Sequence, residues 1–189
     1  MSNAVSAMQG ATFSGAIDVA DAGLRGMITL RCDLAKAGLA EALDRLLGLA
    51  VPGRRTILCG EKGAVAWMSP DELLIMVDYA KTPEMVGKLE EQLAGLHVLV
   101  VNVSDARAVF TLHGKGWRDV LAKGTPADMS IAAFDMGEIR RSRLGQVAAA
   151  FWMTGPDSVD LVCFRSHGAY TFEWLKNAAH SGSLPEFFV

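Results

Sequence analysis

Arg25-Gly26-Met27-Ile28-Thr29-Leu30 returns later in the chain as Arg107-Ala108-Val109-Phe110-Thr111-Leu112. Each copy is a basic residue leading into a short apolar run with its threonine in the same place, the signature of a β-strand. A second pair follows in the same order. Trp67-Met68-Ser69-Pro70-Asp71 matches Trp152-Met153-Thr154-Gly155-Pro156-Asp157 apart from one inserted residue. Turn residues alone would be weak evidence, because every hairpin favours Pro, Gly and Asp. Tryptophan, however, occurs only four times in 189 residues, so two copies at matching places weigh more. The expectation is a duplicated α+β chain with two similar strand–helix–strands–helix halves, the helices packed on antiparallel-rich sheets.

Outward from these anchors, the first half spans 23–103 and the second 104–182. In the first, Met27–Cys32 reads as a strand, and Asp33 is placed to cap a helix with Leu39, Leu43, Leu46 and Leu47 on one face. Gly48 ends that helix. Thr56–Cys59, a hairpin turn at Gly60-Glu61-Lys62-Gly63, Val65–Met68 and Leu73–Val77 give three more strands. Thr82-Pro83 opens a second helix with a stripe of Met85, Val86, Leu89 and Leu93, and Glu84 can pair with Lys88. Gly95 is its expected end. Val98–Val103 is nearly all apolar, which predicts a central strand covered on both faces. The second half gives a strand at Ala108–Leu112, a short helix marked by Trp117, Val120 and Leu121, and strands over Glu138–Arg143, Val147–Met153 and Val159–Phe164. Ser166 then caps a last helix carrying Tyr170, Trp174 and Ala178. Residues 1–22, rich in Ala, Ser and Gly, read as a flexible tail or an arm laid on a partner. Residues 183–189 are an apolar C-terminal tail.

Half of the residues are hydrophobic and the formal net charge is −3. That balance speaks against a general nucleic-acid binder and provides no polybasic membrane anchor. No apolar run reaches the ~20 residues of a membrane span, and no signal peptide is evident. Cys32, Cys59 and Cys163 are odd in number, widely spaced and set in apolar runs, which fits small thiols in a reducing cytoplasmic compartment.

A search for chemistry returns little. His97, His113, His167 and His180 stand apart from one another and from any helix-spaced Cys or carboxylate, so no metal ligand set is assigned. His113-Gly114-Lys115-Gly116 lacks the full pattern of a phosphate loop and reads as a strand-to-helix turn. Ser69, Ser104, Ser142 and Ser166 are isolated hydroxyls outside any G-x-S-x-G elbow. Asp18, Asp21 and Asp33 form no evident acid/base pair. Catalytic, cofactor-binding and metal-binding residues are therefore expected to be none.

Two features face outward instead. On a strand, Arg141 and Arg143 share a face with Ile139 while Arg140 points the other way. Basic residues on both faces suit an edge strand guarded against self-pairing, or a contact with an acidic partner. Phe187 and Phe188 either close the chain's own core or fill pockets on a partner. These five residues are the candidates for a partner interface.

Several segments together resemble the gamma subunit family of the heterotetrameric sarcosine oxidases. Asn102-Val103-Ser104-Asp105-Ala106-Arg107 running into Leu112-His113-Gly114 is similar to that family's V-S-x-x-R-x-x-x-x-L-x-G stretch. Asp119-Val120-Leu121-Ala122-Lys123-Gly124-Thr125-Pro126-Ala127-Asp128 resembles its D-V-L-x-K-G-C-P-x-D, with Thr125 where the family has cysteine. Arg143-Leu144-Gly145, the Trp67, Pro70, Asp71 and Glu72 cluster, and Arg165-Ser166 extend the likeness over about residues 24–178. The resemblance implies the aminomethyltransferase folate-binding fold and a non-catalytic subunit docked on an alpha subunit, with beta and delta chains in the same complex. That complex would oxidise sarcosine to glycine, pass the one-carbon unit to tetrahydrofolate and form hydrogen peroxide. NAD, FAD, FMN, tetrahydrofolate and zinc would lie on the other chains. The alternative is a free-standing folate-binding protein resembling the aminomethyltransferases. An RNA-modification or iron–sulfur factor on this fold would carry K-G-C-Y-x-G-Q-E, from which Lys123-Gly124-Thr125-Pro126 departs.

Overall fold

The structure, a computed structural model, describes residues 4–188. Residues 1–3 and Val189, the ends of the two expected tails, lie outside the described residues. In chain order the strands and helices begin with β1 (Thr12–Ser14), β2 (Asp18–Asp21), β3 (Gly26–Arg31) and α1 (Ala37–Leu47). Next come β4 (Ile57–Gly60), β5 (Gly63–Ser69), β6 (Glu72–Val77), α2 (Thr82–Gln92) and β7 (Leu99–Asn102). The remainder is β8 (Arg107–His113), α3 (Trp117–Ala122), β9 (Ile139–Leu144), β10 (Val147–Gly155), β11 (Ser158–Phe164) and α4 (Gly168–Ala178). The chain divides into two compact units: a central one, Arg25–Ser104, and a flanking one made of residues up to Leu24 together with those from Asp105 onward.

The central unit is a five-stranded sheet in the order β4-β5-β6-β3-β7, antiparallel throughout. One face carries Ile28, Leu30, Val65, Leu73 and Ile75, packed with Leu39, Leu43 and Leu47 of α1 and with Leu89 and Leu93. Burying each such side chain contributes about 1.5–3 kcal/mol. Asp33 does not cap α1. It accepts the Ala35 N–H at 3.1 Å in a local turn, and the helix starts at Ala37 behind Lys36, which makes no side-chain cap. Gly48 does end α1, in the left-handed conformation at φ 70°, with its N–H donated to Asp44 O. α2 has Pro83 in its first turn and the Glu84–Lys88 ion pair on its surface, but it stops at Gln92, before Gly95.

β7 corrects a sequence expectation. The run Val98–Val103 is not a central strand: β7 closes the edge of the sheet, and its Leu99 and Val101 are 52% and 39% exposed. Apolar composition reported burial of one face only, through Val100.

The flanking unit is a six-stranded antiparallel sheet, β1-β2-β8-β11-β10-β9. Phe110, Leu112, Phe151, Met153, Val159 and Leu161 pack on one face with Trp117, Val120, Leu121, Phe134, Phe172 and Leu175. Residues 1–22 are not a free tail over their described part. β2 pairs with β8 from Asp18↔His113 to Asp21↔Phe110, and Ile17 and Val19 are buried. The carboxylate of buried Asp21 accepts from the Met8, Gly10 and Gly23 N–H groups, which ties the preceding loop down.

The two units repeat one plan. The orders β4-β5-β6-β3-β7 and β9-β10-β11-β8-β2 correspond strand for strand, and β1 is added beyond β2. Ile28 opposes Ile75 and Asn102 just as Phe110 opposes Leu161 and Asp21. Asn102 and Asp21 are thus equivalent, and each accepts the N–H two residues on, Ser104 or Gly23. The fifth strand is exchanged, however. β7 follows α2 and stays with the central sheet, whereas its counterpart β2 precedes the central unit and joins the flanking sheet. The matching tryptophans are also offset by one residue. Trp67 opposes Leu73 on the helix-packed face, while Trp152 opposes Asp160 on the other face, where Met153 takes the equivalent place. A one-residue shift in a strand reverses its face.

Candidate functional site

α3 lies within the flanking core, and every residue from Trp117 to Leu121 is buried, including Arg118 and Asp119. A helix this short, surrounded by apolar side chains, gives two charged groups no outer face, so each needs partners inside. Arg118 donates to Met129 O at 2.7 Å and Phe134 O at 3.0 Å, and its guanidinium lies over the Trp117 ring. Burial pulls its pKa below the ordinary value, against an opposing pull from Asp135. The role of Arg118 is to hold the loop between α3 and β9, whose Phe134 stacks edge-on against both Trp117 and Phe151.

Asp119 holds the C-terminal segment. Its two carboxylate oxygens accept the Phe187 N–H at 3.1 Å and the Phe188 N–H at 3.4 Å. Lys123 reinforces the latch by donating to Ala178 O and Ser183 Oγ. Burial lowers the Lys123 pKa, and Asp119 opposes that shift. The segment 183–188 is therefore a strap laid along its own unit. Leu184 and Phe188 pack against the core, while Phe187, 78% exposed, projects outward with its ring edge-on to Phe188 at 4.8 Å. Of the two phenylalanines, Phe188 closes the chain's own core and Phe187 is left at the surface.

The arginine strand β9 is the outer edge of the flanking sheet. Arg140 is engaged inside the chain: it donates to Ala133 O and Glu138, lies over the Phe134 ring, and leaves only 12% of its side chain exposed. Arg141 and Arg143 are exposed. Of the five interface candidates, Arg141, Arg143 and Phe187 present surface, and Arg140 and Phe188 serve the unit itself.

Thr125, standing where the resembled family has cysteine, is buried. It donates to Ser142 Oγ at 3.1 Å and accepts the Ala127 N–H at 3.2 Å, a turn-forming task. The Cys163 thiol is buried, and burial pushes its pKa above the ordinary value. Among the described residues, no three His, Cys, Asp or Glu side chains converge as a metal site, and no helix is long and apolar enough to cross a membrane. Sequence reasoning missed Arg118 and Asp119. The available signal was a charged pair inside a six-residue helix otherwise made of Trp, Val, Leu and Ala.

The fold has close counterparts. The heterotetrameric sarcosine oxidase from Corynebacterium sp. U-96, solved with pyrrole 2-carboxylate, contains a chain that superposes with a TM-score of 0.78 at 24% identity, covering 89% of this chain and 87% of that one. The glycine cleavage system aminomethyltransferase T from Bartonella henselae gives a TM-score of 0.60 at 13% identity. That match covers 83% of this chain but only 45% of the aminomethyltransferase, so the present chain spans less than half its length. A comparison with curated protein sequences finds no match. The architecture is that of an α+β protein of the aminomethyltransferase-like fold. The sequence model of the sarcosine oxidase, gamma subunit family matches residues 31–181, and the chain belongs to that family.

Proposed function

We propose that this chain is the non-catalytic gamma subunit of a cytoplasmic heterotetrameric sarcosine oxidase and that it serves assembly by docking on the alpha subunit. In this reading the beta and delta chains complete the complex. NAD, FAD, FMN, tetrahydrofolate and zinc sit on those companions, and the complex demethylates sarcosine to glycine with one-carbon transfer to tetrahydrofolate and release of hydrogen peroxide. The observation that carries the reading is the family match over residues 31–181. The reading is supported by where buried charges of the flanking unit are used: Arg118 donates to two carbonyls, Asp21 and Asp119 accept from N–H groups, and Asp160 accepts from the Thr111 hydroxyl. Phe187, fixed at its backbone, is displayed as aromatic anchors are at interfaces, and the exposed basic surface of Arg141 and Arg143 is a separate candidate.

Co-expression with the alpha, beta and delta chains tests the proposal. The chain is expected to copurify with them in equal proportion, and Phe187→Ala is expected to weaken its retention about tenfold while leaving its own melting temperature unchanged. Titration of tetrahydrofolate into the lone chain, followed by calorimetry, is expected to give no binding heat. Saturable heat at one site per chain would favour the free-standing folate-binding alternative.

A further inference from the structure

The repeat makes it possible to ask of each unit what covers the sheet edge that the other fills. In an antiparallel ladder alternate residues point their N–H and C=O groups to opposite neighbours. Val103 N–H donates to Met27 O, so within β7 it is Leu99 and Val101 that bond to β3, while Val100 and Asn102 turn their backbone groups outward. Their equivalents in β2 are Val19 and Asp21, which also face away from β8, since Ala22 N–H donates to Val109 O. In the flanking unit that outer edge is taken. Phe13 opposes Val19, Asp21 N–H donates to Ala11 O at 2.8 Å, and the Phe13 side chain packs on the core. In the central unit β7 ends the sheet.

The other edges are short or charged. β1 has three residues, β9 carries Arg140, Arg141 and Arg143, and β4 is bracketed by Arg54, Arg55 and Lys62. Among the described edge strands, β7 combines a charge-free run with two exposed large aliphatic side chains, Leu99 and Val101, a combination that native sheets avoid at a free edge.

We infer that β7 is a strand-addition site for a short extended segment of a companion subunit, running antiparallel to it with an apolar residue opposite Val100, as Phe13 lies opposite Val19. A second copy of this chain fits less well. In the symmetric register that uses both outward residues, Val100 would face polar Asn102 rather than an apolar partner. The inference rests on the proposed assembly role and specifies where contact is made.

The test is made in the co-expressed complex. Val100→Pro removes an outward N–H and leaves the bonds to β3 in place. Val101→Lys places a charge on the exposed side chain without touching the backbone, and it serves should the proline variant fold poorly. Val101→Lys is expected to keep its melting temperature within about 2 °C, and either variant to lose at least tenfold in retention by the companions. Amide exchange at Val100 and Asn102 in the unaltered protein is expected to slow at least tenfold on assembly. Wild-type retention of both variants, or unchanged exchange at these two amides, would overturn the site while leaving the assembly role standing. A dimer of the lone chain that Val101→Lys abolishes would reassign the edge to self-association. Failure of the unaltered chain to join its companions would remove both proposals.

Discussion

Asp119 is a buried carboxylate whose partners are two main-chain N–H groups near the chain's end, so its removal strands both donors and frees the strap. A buried hydrogen bond to a charged group is worth about 1.5–3 kcal/mol. Asp119→Ala should therefore lower stability by about 2 kcal/mol in urea denaturation and open the segment 183–188 to carboxypeptidase. Gly26 illustrates a different constraint. A Cβ there would lie 2.2 Å from Thr82 Oγ1 and 2.7 Å from the carbonyl oxygens of Asp78 and Val77, two of the three being rigid backbone. Ala108 holds the equivalent place in the second repeat, yet Gly26→Ala is expected to cost about 1–3 kcal/mol through overpacking. Cys163 sets a pH dependence. Its folded pKa is raised above the ordinary 9.0, chiefly by burial, so its contribution to stability is complete below that value and is lost as pH rises through the folded pKa. Melting temperature should fall on the alkaline side of about pH 9, and Cys163→Ala should make that fall shallower.

Among the elements, β2 has the most consequence for its size. Four residues supply the neighbour of β8 and carry Val19 into the core, and the short loop before it is fastened by Asp21. An unpaired charge in that position has no water and no partner, so Val19→Asp should destabilise the protein by about 3 kcal/mol or more and speed amide exchange along β8. Val5→Asp, at a half-exposed site in the same segment, should do neither. The equivalence of β2 with β7 explains why the first residues looked like a tail. A four-residue strand flanked by Ala, Ser and Gly has too few side chains for periodicity to register, and its partner lies far along the chain.

At the scale of the whole molecule, one plan is used twice, and each use spends its leading strand differently. β7 returns to the sheet of the unit it follows, and β2 completes the sheet of the unit that comes later. The same comparison separates the edges: the strap binds back through Asp119, the β9 edge is charged, and among the described residues β7 ends its sheet with Leu99 and Val101 exposed. Unfolding of the two units should be followed separately, with fluorescence of Trp117, Trp152 and Trp174 reporting the flanking unit and Trp67 the central one. A Val19→Asp chain is then expected to lose the first signal at lower urea than the second.

The amino-acid order by itself determined the duplicated α+β plan, the place of most strands and helices, and the resemblance to the gamma subunit family, because strand alternation, helical stripes and turn residues act over a few neighbours. Tertiary structure alone decided that β2 belongs to a sheet and that β7 lies at an edge. It also decided that Trp67 and Trp152 face opposite ways, and that Arg118 and Asp119 are structural clamps. Each of these depends on which distant backbone lies alongside, and an apolar or charged residue carries no mark of the partner that will bury it.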